Sequence, residues 1–307
     1  MNPEERGDGE HPGATAVEPD GGFAAAGATN ELRADGGALR LPDWPVLTVA
    51  AREYRLAVRS RWALGVVLLF GLFSAAVVQF GATSVGPGRF DAVVATLAEL
   101  GVYLVPLAAL AFGYDTIVGA DEQGSLELLL SLPVSQGRVV AGAYLGRAAV
   151  LGGAMLLGFV PGALLTVRYL GLGSLGTYVA VVLTAVLMAC AVLAVAVLVS
   201  TLVAEKAHAL GVALALWLWM ALLHDLVALG VVATLDAGGT AVAAAVLLNP
   251  VDCFRVLALS QVDVVAGGFG AVMAQAGLSV PVVGAALLAW TVAPIALASR
   301  AIYRRRL

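Results

Sequence analysis

Three ionisable side chains interrupt stretches of sequence that are otherwise apolar: Glu99, and the adjacent pair His224 and Asp225. Ionisable groups at membrane depth are costly, so each is a functional candidate by default. Two carboxylates and an imidazole suit a proton or metal relay. They suit equally well polar groups satisfied by a neighbouring helix or reaching the interface, which is the commoner situation. A second polar group, Asn249-Pro250-Val251-Asp252-Cys253-Phe254-Arg255, follows in a segment read as an outer loop. Its Asn-Pro pair favours a turn, and Asp252 and Arg255 fall one turn apart in any helix that follows. The plain reading there is a capped surface helix with a local ion pair. A third group occupies residues 121–135, where Asp121, Glu122 and Glu127 accompany Leu126, Leu129 and Leu130 between Gly124-Ser125 and Pro133-Val134-Ser135.

Other chemistry is missing. The chain has no Gly-x-x-x-x-Gly-Lys-Ser/Thr loop to cradle a nucleotide phosphate, no His-Glu-x-x-His, no Gly-x-Ser-x-Gly elbow and no metal-spaced Cys/His cluster. Cys190 and Cys253 lack Cys-x-x-Cys spacing. Cys190 reads as a small buried hydrophobe and Cys253 as part of an external loop, so no disulfide between them is expected. Met155, Met188 and Met220 are scattered, whereas a copper path needs clustered soft ligands. The chain thus reads as a non-enzyme that binds no cofactor or metal of its own.

The elements that position these residues are membrane spans. The 307 residues are 61% hydrophobic and 12% charged, with a mean hydropathy of +0.94. Soluble domains are usually about 45–50% apolar and about 25% charged. A span needs about 20 mainly apolar residues, and six segments qualify: roughly 63–80, 93–113, 139–166, 177–203, 207–232 and 280–299. The fifth is interrupted by His224-Asp225. Residues 264–279, apolar and Gly-rich, read as a re-entrant or interfacial segment. The expected fold is all-α and polytopic, with no nucleic-acid partner.

Arginine placement orients the spans. Arg52, Arg55, Arg59 and Arg61 precede the first, Arg138 and Arg147 flank the third, Lys206 divides the fourth from the fifth, and Arg300, Arg304, Arg305 and Arg306 follow the sixth. The positive-inside rule places both termini in the cytoplasm of a cell with this protein in its plasma membrane. Residues 1–42 form an acidic tail, expected to be disordered because it has no sustained apolar run. Residues 43–61 read as an interfacial helix, capped by Asp43 with Pro45 in its first turn. Val46, Val49, Ala50, Tyr54, Ala57 and Val58 share its apolar face. The pairs Gly142/Gly146 and Gly152/Gly153 suit close helix contacts.

On this orientation residues 121–135 are cytoplasmic. Gly124 ends the second span, Ser125 caps a short transverse helix with Glu127 in its first turn, and Pro133 stops it. Ser135 then caps the third span. On physics alone a docking helix and an ordinary amphipathic loop fit equally. The pattern Glu122-x-Gly124-Ser125-(x)3-Leu129-Leu130-x-x-Pro133-Val134-Ser135, however, resembles the cytoplasmic signature of ABC-2-type transporter permeases. Six spans and an interfacial helix before the first match that family across residues 43–307. The resemblance implies a coupling helix seated in a groove of a separate ATPase subunit. Two such subunits would carry ATP and Mg, and the permease would pair as a homodimer. Gln136 stands where the family commonly has a basic residue, and Gly142-Ala143-Tyr144 where it often has Gly-Lys.

Residues 249–255 also resemble the Asn-Pro-x-Asp-x-Phe-Arg element of permeases in nitrous-oxide-reductase maturation systems. That implies a role in copper-site assembly, with a periplasmic or extracellular assembly protein as a further partner. Two other classes stay open at this stage: an ion- or proton-coupled carrier using Glu99 or Asp225, and a membrane scaffold for an assembly factor.

Overall fold

The structure is a computed structural model that describes residues 45–59, 61–82, 89–126, 135–235, 239–261 and 277–304. The acidic tail and nearly all of residues 264–279 lie outside these. Every regular element among the described residues is a helix. Helices α1 (Pro45–Arg59), α2 (Arg61–Ala82), α3 (Arg89–Gly113) and α4 (Val118–Glu122) come first. They are followed by α5 (Gln136–Gly158), α6 (Val160–Leu170), α7 (Leu175–Leu202) and α8 (Lys206–Leu218). Helices α9 (His224–Leu235), α10 (Gly239–Leu247), α11 (Pro250–Leu259) and α12 (Val280–Ala301) are the last among the described residues. Six helical stretches among the described residues are long and apolar enough to cross a bilayer: Arg61–Gly81, Phe90–Glu122, Gln136–Leu170, Leu172–Leu202, Lys206–Val231 and Val280–Ala301.

Helix α7 is the central post. Its sequence is apolar all round, as a helix surrounded by other helices requires, and the run Ala191–Val197 is buried throughout. Helices α3, α5, α11 and α12 pack around it. Gly113 lets α3 approach: a Cβ there would stand 2.6 Å from Ala196 Cβ. Tyr144 of α5 donates its hydroxyl to the Cys190 carbonyl of α7 at 3.1 Å.

The third span is broken once. Pro161 lacks an amide hydrogen and opens the ladder where α5 meets α6. Carbonyls beside a break in a membrane need partners from the protein itself. Ser74 donates to the Gly158 carbonyl at 3.1 Å and Tyr178 to that of Phe159 at 3.0 Å. Phe70 and Phe73 pack on the Phe159 ring at centroid distances of 5.4 and 6.2 Å.

Helix α1 begins at Pro45; Asp43 lies outside the described residues. More than an element lying on lipid, α1 is seated on α5. A Cβ on Gly142 would meet Val49 Cβ at 2.7 Å, and one on Gly146 would meet the Ala50 carbonyl at 2.6 Å. The expected close contact at Gly142/Gly146 is therefore made with α1. Gly153 has open space instead. Val49 is buried in this seat, but Tyr54, expected on the same face, is exposed.

The fifth span, expected at about 207–232, is present as Lys206–Val231, and the reading of the segment after it is corrected. The fifth span continues through His224-Asp225; it widens into one π-helical turn at Trp219–Leu223 and resumes as α9. The segment after it is no outer loop. Helices α10 and α11 form an apolar pair bent by 110° at a short break, a broken span or re-entrant hairpin. The segment expected to be re-entrant, residues 264–279, lies outside the described residues up to residue 276. Helix α11 packs on α3, α7 and α12, with Phe254 against Gly101.

Candidate functional site

The break between α10 and α11 exposes backbone groups that the sequence then satisfies. Asn249 takes the cap position of α11, its side-chain oxygen accepting from Val251 N at 3.1 Å, and Pro250 fills the first turn. The Asn249 amide donates to the Met220 carbonyl at 2.9 Å, a group inside the π turn. Cys253 donates its thiol to the Val246 carbonyl at 3.3 Å, and Trp290 of α12 donates to that of Leu247 at 3.0 Å. Cys253 is buried within the bundle, which corrects its assignment to an external loop; it and Cys190 are both free thiols.

This break assembles the intramembrane residues and the outer-loop motif into one cluster. Arg255 is its hub, with a side chain 6% exposed. Its guanidinium lies 2.9 Å from Asp225 Oδ2, 3.0 Å from Asp252 Oδ1 and 3.6 Å from Glu99 Oε1. His224 Nδ1 lies 2.9 Å from Asp252 Oδ2, which also accepts from Asn249 Nδ2 at 2.9 Å. Asp252 is 1% exposed, whereas Glu99 is 53% exposed and forms the rim. Burying an ion pair is offset only when the remaining polar atoms are also engaged. Four elements (α3, α9, α11 and the π turn) converge here and supply such partners, although His224 Nδ1 and Asp225 Oδ1 make no hydrogen bond. The surface-helix reading of residues 249–255 is accordingly corrected: the motif is interior.

A second set of polar contacts lies at the other end of the second span, around α4. Gly124, at φ +68°, supplies the left-handed residue that ends the helix. Glu122 accepts from the Lys206 backbone amide at 2.7 Å, so it holds the start of the fifth span. Ser125 donates to the Ala120 carbonyl at 3.1 Å, closing the helix behind it. Asp121 donates its amide to Ile117 and accepts from Gly124 within the same turn. Leu126 is 1% exposed and belongs to the core, which corrects its assignment as a docking contact: it anchors the segment to its own bundle. Ser135 occupies the cap position of α5, but its side chain makes no capping bond; only its carbonyl is used, by Arg138 N at 2.8 Å. Glu127, Leu129, Leu130 and Pro133 lie outside the described residues.

Sequence reasoning missed the partners of this segment. Asp115 meets Arg147 at 2.8 Å and Lys206 at 3.2 Å, linking the second, third and fifth spans. Arg147 also donates to the Phe112 carbonyl at 2.6 Å. Ser200, buried on α7, accepts from both Ile117 N and Val118 N, at 2.9 and 3.1 Å. The available signal was Asp115 itself, an acid at the end of an apolar run with Arg147 and Lys206 at the ends of two others.

Comparison with known proteins agrees with this architecture. Residues 47–306 match the model of the ABC-2 family transporter proteins. The probable ABC transporter permease protein NosY of Pseudomonas aeruginosa is 36% identical over 275 residues, 85% of this chain and 98% of that protein. The protein of the same name from Stutzerimonas stutzeri is 35% identical over 273 residues, 85% of this chain and 99% of its own length. With six apolar spans and a family match over most of its length, the chain belongs to the ABC-2 family of membrane-spanning transporter subunits.

Proposed function

We propose that this permease draws its energy from a separate ATPase subunit, bound as two copies to a permease homodimer, and receives it through residues 121–135. The carrying observation is the way that segment is rooted. Glu122 grips the first amide of the fifth span, Ser200 staples the backbone before α4 to the fourth, and Asp115 joins the second, third and fifth. A push on the surface of the segment is therefore delivered to four spans together, as rigid-body coupling requires. ATP and Mg belong to the partner chain. Leu129 and Leu130 are the contacts offered to it, and Asp121 and Glu127 steer its basic groups. On this reading α4 faces the cytoplasm, as do both termini.

The two ends of the segment separate in a pull-down with the cognate ATPase combined with an ATPase assay. Leu129→Asp abolishes association. Glu122→Ala retains association but loses stimulation of hydrolysis, because the grip on the fifth span is gone. If both variants bind and stimulate like the parent chain, the assignment fails.

The likeness to NosY and the Asn249–Arg255 motif support work in copper-enzyme maturation, with an assembly protein on the outer side. The alternative carrier reading gains one observation, since Glu99 and Asp225 both face Arg255. It requires transport in proteoliposomes that an uncoupler abolishes and that proceeds without the ATPase. A scaffold that moves no substrate would show no substrate-dependent ATP hydrolysis in the same vesicles.

A further inference from the structure

The polar cluster at the half-helix break holds an arrangement that hydrogen bonding and ion pairing do not exhaust. We propose that His224, Asp225 and Asp252 form a site for one borderline divalent cation such as Zn2+, tying the fifth span to α11. The site is independent of how the transporter is energised.

Geometry is the first argument. One ligand atom from each of the three residues lies within 4.8 Å of the others, the one such His/Cys/Asp/Glu group among the described residues. His224 Nδ1 stands 2.9 Å from Asp252 Oδ2, yet it is not in hydrogen-bond geometry, and buried Asp225 Oδ1 accepts no hydrogen bond either. A nitrogen and a carboxylate oxygen 2.9 Å apart are spaced as two groups that share one cation, a proton or a metal ion. Two ligands each about 2.0–2.2 Å from one Zn2+, at angles of about 90–110°, stand about 2.9–3.5 Å apart.

The surrounding bonds point the same way. Arg255 takes Oδ2 of Asp225 and Oδ1 of Asp252, which leaves Asp252 Oδ2 beside His224 Nδ1 and Asp225 Oδ1 without a hydrogen bond. Asn249 steadies the Asp252 oxygen that remains. Partners that occupy the outer atoms of ligating groups are the usual means of orienting a metal site. The charge also closes: Glu99, Asp225 and Asp252 face the single guanidinium of Arg255, and the two surplus negative charges match a divalent ion. An imidazole with two carboxylates and no thiolate in the group suits Zn2+ or Mn2+ better than monovalent copper. The ligands come from rigid pieces, the first turn of α9 behind the π turn and the first turn of α11 behind its Asn249 cap. A bound ion would pin the bent pair to the bundle.

Full-length protein in detergent, stripped with EDTA and titrated with Zn2+ by calorimetry, tests this. The expected result is one Zn2+ per chain, a rise in melting temperature, and Co2+ absorption bands showing nitrogen and oxygen ligands. His224→Gln and Asp225→Asn should each weaken the affinity about tenfold or more. His208→Ala, at an exposed histidine beside Glu205, should leave it unchanged. Failure to saturate near one ion per chain overturns the site, as does binding that survives His224→Gln and Asp225→Asn or that disappears with His208→Ala. Should either cluster variant fail to fold, Zn2+ stoichiometry and thermal stabilisation of the parent chain decide, with the Co2+ spectrum. Association with the ATPase is read separately, so loss of this site leaves the transport proposal standing.

Discussion

The two ends of the second span solve the problem of charge near a membrane in opposite ways. At the α4 end, Asp115, Arg147 and Lys206 are 30, 20 and 40% exposed. They are laid over a frame held by backbone proximity and one buried hydroxyl. At the half-helix end, Asp252 and Arg255 are 1 and 6% exposed, and the charges are themselves the frame. Solvated ion pairs contribute little to stability because water competes for both partners. Buried ones are costly to break, because removing one partner leaves the other charged and dry. The first arrangement suits a surface that must move with a partner, and the second suits a fixed joint.

Removing the hub is the most severe way to break this comparison. Arg255→Met should destabilise the protein by about 3–5 kcal/mol, since Asp252 is then buried without its cation. Unfolding in detergent would measure it, and adding Asp252→Asn to the same chain should recover part of the loss. If Arg255→Met costs no more than a surface substitution, the joint is not a buried network.

A smaller effect belongs to the seat of α1. Gly146→Val places a side chain where a Cβ already meets the Ala50 carbonyl at 2.6 Å, so the helix must lift, at about 1–3 kcal/mol. Crosslinking between α1 and α5 should fall in parallel. At the α4 end, Ser200→Ala leaves the Ile117 and Val118 amides without their buried acceptor, for about 1–2 kcal/mol. It should also lower ATPase stimulation while leaving association intact.

The mildest substitution sharpens the contrast. Lys206→Met removes a pair whose members are 40 and 30% exposed and should cost about 0–1 kcal/mol, an effect that salt screens. A cost matching that of Arg255→Met would show that the two ends are built alike.

Much of the frame was legible in the chain. Spans announce themselves because about 20 apolar residues in a row have few other uses. The break at Gly124 follows from backbone chemistry local to that residue, whereas the one at Pro161 inside the third span was not read. The π turn at Trp219–Leu223 was not legible, since its residues are as apolar as their neighbours and only the His224-Asp225 pair beyond it stood out. Nor was the burial of Leu126, because a leucine-rich run such as residues 126–130 reads the same whether a leucine faces its own bundle or a partner. Residues 249–255 were recognised as a motif but misplaced. Asp, Arg and Asn in succession resemble a solvated loop unless three other elements are known to enclose them.

Hydropathy along the chain gives an all-helical membrane subunit, and short motifs give its resemblance to ABC-2 permeases and include no phosphate-binding loop. Hydropathy and short motifs carry that information locally. That Glu99, His224, Asp225, Asp252 and Arg255, from α3, α9 and α11, belong to one site emerges from packing in three dimensions. The residues come together because the 110° bend between α10 and α11 turns the capped first turn of α11 into the bundle. The Asn249-Pro250 pair marks a turn there, but the angle and direction of the bend are settled by packing across the whole fold.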